Sequence, residues 1–204
     1  MSVRVETIVN SVFSSNTYLI NSDESCESWL VDCGDMDKVM KLLPDGNRIR
    51  GLFLTHTHFD HIYGINELAR LFPECLIYTS EYGATAIRSS KLNLSRYHEC
   101  PVEYFGDNLR VLKEGDIVEL YDGEEMSVIE TPGHSPSCLS YMTDEWLFSG
   151  DSYIEGLKVV ANLPKADKVL AQMSVEKIKR LLGHRMLLAG HGLSSPKFNL
   201  EVQV

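Results

Sequence analysis

Histidine and aspartate concentrate where this chain can do chemistry. Seven histidines occur in 204 residues, and three of them share Thr55-His56-Thr57-His58-Phe59-Asp60-His61 with an aspartate. Coincidence in a solvated loop does not produce that density. His56 and His58 alternate, so in an extended segment both side chains point to one side. Asp60 and His61 then open a helix and can face a different point. One tetrahedral ion cannot easily take all four neighbours, whereas two ions sharing a bridging group can. Imidazole with carboxylate suits zinc, and also iron or manganese. His134 in Thr131-Pro132-Gly133-His134, Asp151 in Ser149-Gly150-Asp151 and His191 in Ala189-Gly190-His191-Gly192 repeat the pattern. Each places imidazole or carboxylate just past an apolar stretch, beside glycines that let the backbone turn tightly.

These junctions need strands to deliver them. Val3 to Val9, Thr17 to Ile20 and Ser28 to Val31 are rich in β-branched or bulky residues and separated by Asn/Ser/Asp turns. Asp35 is placed to cap a helix running to Leu43. Ile49 to Leu54 reads as a buried strand leading into His56. Ile62, Ile65, Leu68, Ala69 and Phe72 then recur at helical spacing. Cys75 to Tyr78 reads as a strand and Ser80 to Ile87 as a helix. Leu109 to Leu120 and Met126 to Glu130 resemble antiparallel strands turning at Asp122-Gly123. Leu139 to Met142 and Trp146 to Phe148 form a hairpin, Asp167 to Leu182 an amphipathic helix, and Met186 to Ala189 a last strand. Blocks of strands with interspersed helices suggest two sheets covered by helices.

Composition narrows the class. At 44% hydrophobic residues the chain can bury a sizeable core as one domain over residues 1–204. Lys and Arg total 19 against 29 Asp and Glu, a net charge of -10, which disfavours nucleic acid as a substrate. The five scattered cysteines lack a CxxC pair and fit a reducing compartment. The N-terminus lacks the pattern of a signal peptide, and no apolar run approaches a membrane span. The expectation is a cytoplasmic protein acting on a small molecule.

THTHFDH, TPGH, SGD and AGHG, in this order, resemble the motif series of the metallo-β-lactamase superfamily, and more narrowly its hydroxyacylglutathione hydrolase (glyoxalase II) branch. The resemblance implies a four-layer αββα sandwich. It also implies that His56, His58 and His134 hold one divalent ion, that Asp60, His61 and His191 hold a second, and that Asp151 bridges them. Zinc is the expected metal. Asp60 would also orient the attacking hydroxide as a catalytic residue. Asp32, in Val31-Asp32-Cys33-Gly34, matches an Asp-x-Gly near the site, with a cap of the next turn as its other reading. The implied activity is hydrolysis of a small thioester or ester.

The branch pattern is incomplete. The helical C-terminal domain typical of glyoxalase II is expected to be missing after His191, and Leu193 is not expected to grip glutathione. The Gly-Arg-x-Asp stretch of short relatives is here Val159-Val160-Ala161-Asn162. An alternative on the same fold is a mononuclear iron dioxygenase acting on a persulfide. Tyr153, Lys158, Lys165, Tyr63 and Asn66 are weak candidates for substrate contact. Cys138 reads as a buried small residue, and His98 and His184 as surface or structural ones.

Overall fold

The stretches Thr17 to Ile20 and Ser28 to Val31 are buried on both faces, a condition met only when a sheet is covered on both sides. In the computed structural model, which describes residues 2–192, they lie in the middle of the molecule. Val3–Val9 (β1), Asn16–Ser22 (β2), Glu27–Val31 (β3), Arg48–Phe53 (β4), Leu76–Thr79 (β5) and Leu109–Val111 (β6) form one sheet in that order. β1 to β3 are antiparallel, and β3 to β6 run parallel. Parallel neighbours need crossovers, which carry Met36–Leu42 (α1), Phe59–Ile62 (α2), Ile65–Leu71 (α3) and Glu81–Ala86 (α4). The second sheet contains Ile117–Tyr121 (β7), Glu124–Glu130 (β8), Leu139–Met142 (β9), Trp146–Gly150 (β10) and Met186–Ala189 (β11). Its order is β11-β10-β9-β8-β7, antiparallel except for β10 and β11, which the helix Lys168–Leu182 (α5) connects.

Period-two alternation assigns each residue to a layer. Tyr18, Ile20, Trp29, Val31 and Phe53 meet Val128, Leu139, Tyr141 and Phe148 between the sheets. Their alternates Leu19, Leu30 and Leu52 face outward and pack with Met36, Val39, Ile65 and Leu68 of α1 and α3. On the far side, Leu147 and Leu187 pack with Ile178 of α5. The result is the αββα sandwich. Each fully buried side chain of this size contributes about 1.5–3 kcal/mol. Among the described residues no helix is long and apolar enough to cross a membrane.

Three elements depart from the sequence expectation. The helix expected from Ile62 to Phe72 is two helices, α2 and α3, broken at Gly64. There the Gly64 N–H donates to the Cys33 carbonyl at 3.0 Å, and a Cβ would stand 2.1 Å from the Gly34 carbonyl oxygen. The strand expected from Leu109 to Leu120 divides into β6 and β7, which belong to different sheets. Gly115 at φ +83° and the Asp116 carboxylate, accepting from the Lys113 N–H at 2.9 Å, make the turn between them. Asp35 occupies the N-cap position of α1, but its side chain caps nothing. It accepts from the Ser11 N–H and hydroxyl, both at 2.8 Å, and from the Tyr63 hydroxyl, fastening the β1–β2 turn to the end of α2. Asp167 does cap α5, accepting from the Val169 and Leu170 N–H groups.

Candidate metal centre

All seven expected ligands converge at one edge of the sandwich. β4 runs out through Leu54 and Thr55 into His56 and His58, and α2 begins at once and turns Asp60 and His61 inward. β8 leads to His134, β10 to Asp151 and β11 to His191. The ligand atoms of His56, His58 and His134 lie within 4.8 Å of one another, and so do those of Asp60, His61 and His191. Asp151 reaches both groups. Its Oδ1 is 3.5 Å from His61 Nε2, and its Oδ2 is 3.5 Å from both His134 Nε2 and His191 Nε2. Gly190 permits this approach, since a Cβ there would stand 2.1 Å from Asp151 Oδ1.

Hydrogen bonds on the outer nitrogens aim the rings inward. Asp32 Oδ2 lies 2.8 Å from His61 Nδ1, so Nε2 faces the centre. The same carboxylate accepts from the Thr55 N–H at 2.8 Å and the Thr55 hydroxyl at 2.7 Å. A third cluster of possible ligands, Asp32 with His56 and His61, is therefore support for the site, because Asp32 is already committed. Asp32 is thus no cap of the following turn. His134 Nδ1 lies 2.7 Å from the Val160 carbonyl oxygen, and His191 Nδ1 lies 3.1 Å from that of Phe13. The Ser15 hydroxyl donates to the Asp60 carbonyl at 2.7 Å, and Asn16 Nδ2 donates to the Ala189 and Gly192 carbonyls.

The donor set fits divalent ions. His56 Nε2, His61 Nε2 and Asp151 Oδ1 are buried with no hydrogen-bond partner, a costly state for groups that can bind a cation. Burial and repulsion from neighbouring histidines push the His56, His58 and His134 imidazoles down, His58 to about 3, so all three stay neutral and each has a lone pair to offer a cation. Burial opposes charge on His61 and His191, but the surrounding carboxylates win and raise both, His191 to about 10. Burial likewise opposes charge on Asp60 and Asp151, yet their histidine neighbours hold both carboxyls below the usual range. The second cluster thus already balances cationic charge against two carboxylates, the role divalent ions would take over.

The centre forms the floor of a cleft of about 350 Å³. Its walls contain residues to which the sequence assigned no role in the site: Phe13, Phe59, Leu94, Tyr97 and His98. His98, read as a surface or structural residue, stacks on Phe59, centroids 4.0 Å apart, and meets Phe13 edge-on. The weaker candidates go elsewhere. Tyr63 binds Asp35, Asn66 Nδ2 donates to the Glu103 carbonyl, and Tyr153 packs on the α5 side beneath Lys179. Lys158 lines a separate groove along α5. Lys165 is exposed and outside the cleft, Cys138 is buried, and His184 is exposed. Leu193 lies outside the described residues.

A family model described as the metallo-beta-lactamase superfamily matches residues 10–191. Among solved structures, the BLEG-1 B3 metallo-beta-lactamase superposes with a TM-score of 0.84 at 26% identity, covering 94% of this chain and 93% of that one. TTHA1623 in a di-iron-bound form gives 0.79 at 23% identity, with 94% of each chain covered. ETHE1 from Myxococcus xanthus gives 0.73 at 19% identity, covering 93% of this chain and 76% of the other.

Proposed function

Since this chain belongs to the metallo-beta-lactamase superfamily, we propose that it is a hydrolase that cleaves a small thioester or ester at a two-ion centre, a glyoxalase II-like reaction without glutathione specificity. The observation that carries the reading is Asp151, one buried carboxylate within 3.5 Å of histidines from both ligand groups. When bound, divalent ions supply Lewis acidity and a water that loses its proton near neutral pH. His56, His58 and His134 would hold one ion and Asp60, His61 and His191 the other, with Asp151 shared. Zinc is the first candidate, and the di-iron form of TTHA1623 supports iron beside it.

The chain's own residues do the remaining work. Asp32 keeps the His61 proton on Nδ1, leaving Nε2 free as a ligand. Asp60, placed between His61 and His191 at 3.3 Å from each, orients the attacking water with its carboxylate. A thiolate leaves without a strong general acid, which suits a cleft whose described lining contains neither lysine nor arginine. The absence of arginine from Val159 to Asn162 removes one grip on an anionic conjugate.

Metal content per chain, measured by elemental mass spectrometry on protein purified without chelator, tests the reading together with a screen of small thioesters and esters. Near two ions per chain and turnover of a thioester are expected. Near one iron per chain, with oxygen uptake on a persulfide, would replace hydrolysis by dioxygenation. Failure to take up any metal would remove the two-ion site.

A further inference from the structure

The cleft above the candidate metal centre is walled by aromatic and aliphatic groups from four separate stretches of chain. Phe13 comes from the β1–β2 turn, Phe59 from the first position of α2, and Leu94, Tyr97 and His98 from the segment around Ser95. Val160 and Leu163 close the opposite side. A soluble chain normally turns such groups inward, yet Phe13 is 65% exposed and Tyr97 67% exposed. His98 stacks face to face on Phe59, 18° from parallel, and Phe13 meets His98 edge-on, so the three rings form one continuous aromatic wall.

Backbone conformation supports a selected arrangement. Phe13 and Leu94 both adopt left-handed backbones, with φ of +52° and +63°. Bulky residues rarely occupy that region, and such outliers gather at binding sites. Lys and Arg are absent from the described lining, and the Arg96 guanidinium lies over the Tyr97 ring, 4.9 Å from its centroid. A substituent bearing a carboxylate would find no lysine or arginine beside it in the cleft. A flat uncharged ring would find ring faces and edges on two sides.

We infer that the cleft selects substrates carrying a neutral aryl group within one or two bonds of the scissile carbonyl, seated between Phe13, Tyr97 and the His98–Phe59 wall. This rests on the hydrolase reading for the bond that is cleaved, while the wall itself recognises the ring. The volume of about 350 Å³ lies at the small end for ligand clefts, enough for one ring and the reacting carbonyl.

The test uses the zinc-loaded full chain and two kinds of measurement. The first compares kcat/KM for phenylacetyl, acetyl and succinyl thioesters of one thiol, and for aryl against methyl leaving groups. The second titrates phenylacetate and acetate by calorimetry, with no turnover involved. The wild type should favour the aryl member at least about tenfold in one substrate series and in binding, a difference of about 1.4 kcal/mol. Phe13→Asn, a residue that tolerates the left-handed backbone, and His98→Ala should each shrink that preference severalfold while metal content is unchanged. Equal handling of aryl and methyl substrates by an active wild type would overturn the aryl cleft and leave the hydrolase reading standing. Tight phenylacetate binding that the variants abolish, in a protein that hydrolyses no ester or thioester, would uphold the cleft and overturn the hydrolase. A preference that survives both substitutions would overturn the assigned wall.

Discussion

Replacing Asp32 by asparagine should disable one metal position without removing a ligand. Asp32 is 1% exposed and accepts three hydrogen bonds, from the Thr55 N–H, the Thr55 hydroxyl and His61 Nδ1. Burial pushes its carboxyl up, against the pull of His61 and of the two Thr55 donors. Asparagine keeps an oxygen for the Thr55 N–H but presents an NH₂ group to His61. The imidazole must then accept at Nδ1 and carry its proton on Nε2, where it points at Asp60 and Asp151 and blocks ligation. Loss of such an outer partner costs about 10- to 100-fold in metal affinity, or about 1.4–2.8 kcal/mol. The metal-free protein should lose about 1.5–3 kcal/mol as well, the worth of one hydrogen bond to a charged group. Chelator competition reads the affinity of the weaker ion, urea melts of the stripped protein read stability, and nitrogen shifts of His61 read the tautomer. Wild-type affinity for both ions, with the His61 proton still on Nδ1, would refute the assigned role.

Three further outcomes follow from the same geometry. Asp151→Ala and His58→Ala should each abolish metal uptake and turnover, and wild-type activity in either would displace the site. Gly190→Ala would place a methyl 2.1 Å from Asp151 Oδ1 and 3.0 Å from His61 Cε1. It should weaken metal binding about 10- to 100-fold with the fold retained, as circular dichroism and metal analysis would check. The stripped protein should lose stability as pH falls below about 6.5, because His56, His58 and His134 take up protons in the unfolded chain but not in the fold. That loss should continue towards pH 3, where His58 begins to titrate in place, and a flat urea midpoint between pH 7.5 and pH 5 would contradict it.

The candidate site was legible because its histidines and aspartates come in short strings attached to strand ends, where residue type and spacing carry the information. The cleft was not, because Phe13 and His98 lie far from those strings and from each other, and nothing local marks an aromatic ring as a wall. Asp32 was visible as an Asp-x-Gly, but only the three donors around it distinguish support from capping. The sandwich followed largely from the motif resemblance, and the both-sided apolar character of β2 to β4 agrees with it. The change of sheet after β6 was missed although Gly115-Asp116 is a turn signal. Apolar residues on both sides of it masked the break. The split at Gly64 depends on a backbone contact with Cys33 and Gly34, about thirty residues away in sequence, which helical periodicity cannot register.

Two ligand rings take their orientation from main-chain oxygens, His191 from Phe13 and His134 from Val160. Those same two residues turn their side chains into the cleft. A carbonyl is supplied by any amino acid, so mutation at either position can reshape what the cleft accepts while the imidazoles stay aimed. Reactivity and selectivity thus reside in different atoms of the same residues. Substitution at position 13 or 160 should therefore alter the cleft lining and leave the His191 and His134 rings in place.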